Sequence, residues 1–178
     1  MPNKNKIVEL LDELSPEAQL IGAVNTVLND NGKLIGYNTD GYGFMQSVRD
    51  AGHDITGKNI TVMGVGGASM AICAQSALDG AASVHIFARR TSRYWNRTQK
   101  FAENLSAKTS CQVCLFDNDD HTALRDSIAQ SYLLINATSV GMVPDIDDTI
   151  IKDTSLFHPE LVVADVVYEH RKPTAQRG

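Results

Sequence analysis

The sequence predicts an α/β protein with a doubly wound parallel sheet, and three observations support this prediction. From Lys58 onward, short apolar runs of strand length alternate with stretches of helix length, which is the pattern of βαβ units. The runs are almost continuously apolar, as expected for parallel strands covered by helices on both faces. The first run, at residues 59–63, enters a glycine-rich turn that opens a helix, and this arrangement is typical of Rossmann-like domains.

The predicted elements form two groups along the chain. Before residue 58 they are a helix over 5–14 ended by Ser15-Pro16, strands at 23–28 and 33–37 around a hairpin turn, and a helix from Thr39 or Asp40 to Asp50. From residue 58 they are strands at 59–63, 83–87, 111–116, 132–136 and 161–166, and helices at 67–79, 92–107 and 120–130. The first group cannot close a core alone. We therefore predict a remnant of a second α/β domain at 1–38 and a nucleotide-binding domain at 39–178.

Composition excludes several classes of function. The chain has 178 residues and a formal net charge of −5, so no basic excess points to nucleic acid. No apolar run approaches the roughly 20 residues of a membrane span, and the N-terminus has no signal-peptide pattern, so we expect no membrane partner and a cytoplasmic location.

The cysteines and histidines do not predict a metal site. Cys111 and Cys114 form a CxxC spacing, but they lie in an apolar run that is predicted as a strand. Residues three apart on a strand face opposite sides of the sheet. A CxxC metal or redox site needs a turn or a second pair, and neither is present, so we predict no metal.

The turn at residues 64–69 has the residue types that a dinucleotide pyrophosphate needs. Gly64 permits a tight turn, and Gly66 lets backbone amides approach the phosphates without an intervening Cβ. The small Ser69 allows the helix to pack closely on the strand. The helix N-terminus then offers unpaired amides and a partial positive charge to the anion. The alternative is a strand–turn–helix connection that merely uses glycine.

The residues after the next strand favour NADP over NAD. An NAD-binding fold usually carries an acidic residue roughly 20 residues past the glycines, where it holds the ribose 2′-hydroxyl. Here Arg89, Arg90 and Thr91 follow the strand instead. A guanidinium group pairs well with a 2′-phosphate. The alternative is the basic start of a solvated helix, since Arg93 and Arg97 follow.

Six short motifs span nearly the whole chain, and they are Met1–Lys4, Gly22–Thr26, Gly36–Gly41, Gly64–Ser69, Asn136–Met142 and Asp165–Tyr168. As an ordered set they resemble the shikimate dehydrogenase family, and more narrowly its quinate/shikimate dehydrogenase branch. The resemblance implies a substrate domain and a cofactor domain with the active site between them. It also implies reversible reduction of 3-dehydroshikimate to shikimate, or of 3-dehydroquinate to quinate, with NADPH in aromatic amino acid biosynthesis; NAD is the alternative cofactor.

The resemblance assigns roles to particular residues. Lys4 matches the family's lysine and Asp40 its partner aspartate, and both are expected to be catalytic. The residues expected to bind substrate are Asn25, Thr39 and Tyr168. The residues expected to bind the cofactor are Gly64, Gly66, Gly67, Ala68, Ser69, Arg89, Arg90, Thr91, Thr138, Ser139 and Val166.

The chain departs from the family pattern at its ends. The family's usual chain is longer in front and behind, and the serine pair that binds the substrate carboxylate has no counterpart here. A catalytically impaired dinucleotide-binding fragment is therefore the alternative to an active dehydrogenase. A sheet edge left uncovered predicts self-association or a homodimer.

Overall fold

The computed structural model describes residues 3–143 and 146–167. The strands are β1 Glu13–Leu14, β2 Thr26–Asp30, β3 Lys33–Tyr37, β4 Asn59–Met63, β5 Ser83–Ala88, β6 Gln112–Asp117, β7 Leu133–Asn136 and β8 Val162–Asp165. The α-helices are α1 Pro16–Ile21, α2 Asp40–Asp50, α3 Gly67–Leu78, α4 Trp95–Lys108 and α5 His121–Gln130, and short 3₁₀-helices occupy Ile7–Leu10 and Thr154–Leu156.

The larger sheet confirms the predicted architecture. Its five strands are all parallel and lie in the order β6-β5-β4-β7-β8. The chain winds outward from β4 in one direction and then returns to wind in the other, as in a doubly wound fold. Buried clusters lie on both faces of the sheet, so strands such as β4 and β7 are apolar along most of their length. The carboxyl ends of the strands meet at one edge, where such folds bind ligands.

The N-terminal group forms a small three-stranded sheet in the order β1-β3-β2. β2 and β3 are the predicted hairpin, and its turn has positive φ angles at Asn31 (51°) and Gly32 (99°). Asn-Gly favours this conformation because both residues tolerate positive φ. The hairpin prediction is therefore confirmed.

The helix predicted over 5–14 is wrong. The chain forms one 3₁₀ turn there and then extends into β1, which pairs with β3 in parallel. The Asp12 amide donates to the Leu34 carbonyl oxygen at 2.9 Å, and the Leu34 amide donates to Asp12 Oδ2 at 2.7 Å. Strand pairing with a distant segment thus overrides the local helical spacing of leucines. Ser15 does not end a helix but caps α1, because its Oγ accepts a hydrogen bond from the Ala18 amide.

The N-terminal group packs directly on the nucleotide-binding sheet's helical layer. Ile21 and Ala23 belong to the same buried cluster as Met45 of α2 and Ile60 of β4. Both predicted units therefore contribute to one continuous core. The division between 38 and 39 stays a prediction.

Burial disfavours the thiolate form of two of the three cysteines. It raises the pKa of the Cys73 thiol to about 12 and the pKa of the Cys111 thiol to about 11. Within residues 3–143 and 146–167, no group of three or more His, Cys, Asp or Glu side chains could hold a metal ion. No helix in that part of the chain is long and apolar enough to cross a membrane.

Candidate functional site

Gly64 sits at a position that only glycine can occupy without strain. Its φ is +107°, and a Cβ there would lie 2.8 Å from the Ala137 carbonyl oxygen and 3.0 Å from Thr138 Cγ2. Its amide donates to the Phe87 carbonyl oxygen at 2.8 Å. The turn after β4 is thereby held between the end of β5 and the loop after β7, at the carboxyl edge of the sheet.

Gly66 and Gly67 differ from Gly64 because no neighbouring atom of the protein would clash with a side chain at either position. A Cβ at either position would meet nothing within 4 Å, and Gly66 has an ordinary φ of −78° as the N-cap of α3. The space beside the first turn of α3 is therefore open, and side chains at positions 66 and 67 would occupy it. Ser69 is 1% exposed, and its Oγ donates to the Gly64 carbonyl oxygen at 2.6 Å, so it ties the helix to the turn. This is the geometry of an anion cradle.

A cleft of about 860 Å³ opens from this turn. Its walls come from the glycine turn, the loop after β5 and the loop after β7. The polar and charged side chains that line it are Arg89, Thr91, Ser92, Arg93, Tyr94, Asn118, Thr138 and Ser139. The predicted cofactor residues Arg89, Thr91, Thr138 and Ser139 thus meet at one cavity, whereas Arg90 and Ser69 do not line it.

Arg90 points elsewhere, and Arg93 takes a place on the cleft wall. The Arg90 guanidinium lies 4.7 Å from the centre of the Trp95 ring, where it makes a cation–π contact. Arg93 lines the cleft beside Arg89. Arg93 lies two residues before α4 and belongs to the basic run after β5, so the sequence contained a signal for it. Gly67, Ala68 and Ser69 lie in the first turn of α3 and Val166 follows β8, and none of these four residues lines the cleft.

Asn136, at the end of β7, organises the loop that carries Thr138. Its Oδ1 accepts from the Thr138 amide at 3.1 Å and from Thr138 Oγ1 at 2.7 Å, and its Nδ2 donates to Asp165 Oδ2 at 3.0 Å. The Val166 amide donates to the Asn136 carbonyl oxygen at 3.0 Å. Asn136 was not among the predicted site residues, although an Asn two residues before a Thr is a signal for an Asx turn.

Lys4 and Asp40 form the second part of the candidate site. Lys4 Nζ lies 2.5 Å from Asp40 Oδ2, and Asn25 Nδ2 donates to Asp40 Oδ1 at 2.8 Å. Each Asp40 carboxylate oxygen therefore has one partner, the Lys4 ammonium group on Oδ2 and the Asn25 amide on Oδ1. The Lys4 and Asp40 side chains are 27% and 41% exposed, so the pair is open to a ligand. Three predicted residues meet here although they are far apart in the sequence.

Backbone contacts hold this cluster in place. The Val24 amide donates to the Lys4 carbonyl oxygen at 2.9 Å, which pins the N-terminal segment beside Asn25. The Asn25 Oδ1 accepts from the Thr39 amide at 3.1 Å and from Thr39 Oγ1 at 3.2 Å. Tyr168, the remaining predicted substrate residue, lies outside the described residues.

The two parts of the site are joined through a close helix crossing. Asp40 is the first residue of α2, and the next residue, Gly41, packs against the backbone of Ala71 in the second turn of α3. A Cβ on Gly41 would lie 2.2 Å from the Ala71 carbonyl oxygen. The helix that carries the aspartate is thus locked against the helix that begins at the glycine turn.

The fold, the glycine turn and the cleft define a Rossmann-type nucleotide-binding protein. The family model described as the shikimate dehydrogenase substrate binding domain matches residues 1–27. A shikimate dehydrogenase (NADP(+)) of Listeria innocua is 50% identical over 177 residues, which are 99% of this chain and 60% of that relative. A quinate/shikimate dehydrogenase of Escherichia coli is 42% identical over 168 residues, or 94% of this chain and 58% of that relative.

A solved structure agrees with these sequence matches. The shikimate 5-dehydrogenase of Listeria monocytogenes, in complex with shikimate and NAD, matches with a TM-score of 0.91 and 49% identity, covering 94% of this chain and 58% of that one. The chain is similar to shikimate dehydrogenases over nearly its whole length, and it spans about 60% of the length of the curated relatives it matches.

Proposed function

We propose that the chain belongs to an oxidoreductase that interconverts shikimate and 3-dehydroshikimate, or quinate and 3-dehydroquinate, with NADP(H). The observation that carries the proposal is the Lys4–Asp40–Asn25 cluster, joined by the α2–α3 crossing to the glycine turn. The matched relatives are named for these substrates.

Lys4 is the proposed proton donor and acceptor. Bound NADP(H) supplies or accepts the hydride. As the substrate carbonyl is reduced, Lys4 Nζ donates a proton to the oxygen that becomes the hydroxyl, and in the reverse direction the same amine takes that proton. Asp40 orients the ammonium group, and Asn25 fixes the second carboxylate oxygen so that the pair keeps one geometry. Thr39 and Tyr168 complete the proposed substrate contacts.

The amides that begin α3 are the proposed pyrophosphate site. Gly66 is the informative position, because a Cβ there would meet nothing in the protein but would occupy the space beside the phosphates. We expect Gly66→Ala to leave the melting temperature nearly unchanged and to weaken NADP binding at least about tenfold, by loss of close backbone contact. Titration with the fluorescent reduced cofactor NADPH, or calorimetry with NADP, measures the affinity.

Gly57→Ala provides a control for the effect of an added methyl group away from the cleft. A Cβ at Gly57 also meets nothing within 4 Å, but its φ of +68° makes the substitution strained. We expect this variant to lose stability and to keep NADP affinity, the reverse of Gly66→Ala. Undiminished NADP binding by Gly66→Ala would contradict the pyrophosphate assignment.

The arginines after β5 support a preference for NADP over NAD. Arg89 and Arg93 line the cleft together with Thr91, and no acidic side chain among residues 3–143 and 146–167 does. Arg90 remains a proposed contact, which requires its guanidinium to leave the Trp95 ring. The Listeria monocytogenes relative was crystallised with NAD. The preference for NADP is therefore argued from this chain's own residues, and it has to be tested on this chain.

Replacing Arg89 by aspartate is expected to reverse the preference. The aspartate repels a 2′-phosphate and accepts a hydrogen bond from a 2′-hydroxyl, so the ratio of NADP to NAD affinity should fall at least about tenfold. Arg97→Asp, which makes the same charge change at an exposed position of α4 outside the cleft, is the control. An equal fall in both variants would point to general electrostatics and against a 2′-phosphate site.

A second candidate is a dinucleotide-binding protein with impaired catalysis. The exposure of Lys4 and Asp40 favours it, because proton transfer and hydride transfer are most efficient in a site from which water is excluded. Shikimate turnover, measured beside an intact relative at saturating NADP, separates the candidates. NADP binding without turnover supports the second one.

Domain organisation and assembly complete the proposal. We propose that residues 1–38 contribute to the substrate-binding unit and residues 39–178 to the NADP-binding unit. β2 is an edge strand of the smaller sheet, and all five of its residues are exposed, including Val27 and Leu28. An exposed edge strand with apolar side chains favours pairing between copies of the chain, so we propose self-association through β2.

A further inference from the structure

Asn118 occupies a special place at the carboxyl edge of the sheet. It directly follows β6, and its amide donates to the Ala88 carbonyl oxygen at 2.9 Å, which holds it beside the end of β5. It lines the dinucleotide cleft and also an adjoining cavity of about 490 Å³ on the α5 side. Among the described residues, Ile150 is the other one that lines both cavities. These two residues therefore form the boundary between the cleft and the adjoining cavity.

The Asn118 side chain has unused hydrogen-bonding capacity. Its Oδ1 is shielded from solvent, and it has no hydrogen-bond partner among residues 3–143 and 146–167. Thr98 Oγ1 is in the same condition, but Thr98 does not line the cleft. A buried polar atom without a partner is costly, and such atoms are uncommon in folded proteins. Because this oxygen belongs to a residue on the cleft wall, we expect a hydrogen-bond donor of a bound ligand to pair with it.

We propose that Asn118 recognises the adenine base of the bound dinucleotide. The proposal rests on the proposed function, and it adds a specificity-determining residue to it. The 6-amino group of adenine is a hydrogen-bond donor beside a ring-nitrogen acceptor, and a carboxamide matches this pair with its oxygen and its nitrogen. The terminal torsion of asparagine is soft, so the carboxamide can rotate to present Oδ1 to a ligand in the cleft.

The surroundings of Asn118 suit a flat aromatic base. Ile150 offers an apolar surface on the same wall, and Arg89 lines the cleft at the end of the neighbouring strand β5, where its planar guanidinium can stack on a base. The ribose carried by that base would then lie next to the arginines proposed to bind its 2′-phosphate. Base, ribose and pyrophosphate sites thus follow one another along a single cleft.

The test compares NADP with its purine analogue, in which hydrogen replaces the 6-amino group. We expect the unmodified chain to bind NADP about tenfold more tightly than the analogue, because the analogue leaves Oδ1 without a donor. Asn118→Leu should bind both dinucleotides with affinities within about twofold of each other. Asn118→Asp keeps an acceptor and should retain the preference, since its added charge affects both ligands equally.

The outcomes separate this proposal from the proposed function. Asn96→Leu, at an exposed position of α4 outside the cleft, is the control and should keep the tenfold preference. If the unmodified chain binds NADP and the analogue equally, the adenine assignment is overturned while the cofactor site stands. The same holds if Asn118→Leu keeps the preference. If neither dinucleotide binds at millimolar concentration, the proposed function fails as well.

Discussion

Replacing Lys4 by methionine is expected to lower shikimate turnover with NADP by about a hundredfold or more. Methionine keeps the length and the apolar stem of lysine but cannot donate or accept the proton, and general acid–base groups typically contribute 10²- to 10⁴-fold to a rate. The loss should fall on kcat, because the cleft that holds the cofactor lies on other elements. Steady-state kinetics at saturating NADP, with the affinity for NADP measured separately, gives the required comparison.

Lys6→Met is the matched control for Lys4→Met. Lys6 lies two residues further along the same segment, is exposed, and has no ion pair within the described part of the chain. We expect it to keep both turnover and NADP affinity. A Lys4→Met variant with undiminished kcat would remove Lys4 from the mechanism, and an equal loss in the two variants would indicate only a disturbed N-terminal segment.

Gly41→Ala is expected to destabilise the fold by about 3 kcal/mol. The new Cβ would lie 2.2 Å from the carbonyl oxygen and 2.7 Å from the carbonyl carbon of Ala71, so backbone rather than a flexible side chain must move. Separating α2 from α3 also loosens Met45, which is fully buried between them and the sheet. Overpacking of this kind typically costs about 1–3 kcal/mol, and a backbone contact lies at the upper end.

Gly43→Ala separates this crossing from a general effect of alanine in the helix. Gly43 is two residues further along α2, and a Cβ there meets nothing within 4 Å. Alanine should therefore stabilise the helix by about 0.5–1 kcal/mol. Urea unfolding of both variants measures the free energies. If both substitutions change the free energy of unfolding in the same direction, the close α2–α3 contact does not govern stability. If the changes are opposite, as expected, the crossing that positions Asp40 is rigid.

The nucleotide-binding half was predictable because its signals are local. Each buried parallel strand is a short apolar run, and each crossover helix follows at the expected spacing. The glycine turn is equally local, since the φ of +107° at Gly64 demands glycine whatever surrounds it. The N-terminal segment was not predictable in this way. Its leucines have helical spacing, yet β1 forms because Asp12 pairs with Leu34, a residue outside any local window.

The sequence by itself determined the sheet, the glycine turn, the basic run after β5 and the family resemblance. Tertiary structure alone decided that Lys4 meets Asp40, 36 positions away, and that Arg93 rather than Arg90 lines the cleft beside Arg89. It also decided that Asn118 stands at that wall with a side-chain oxygen that has no hydrogen-bond partner among the described residues. The reason is physical: backbone conformation follows mostly from neighbouring residues, whereas the direction of a side chain and its partners depend on how distant segments pack around it.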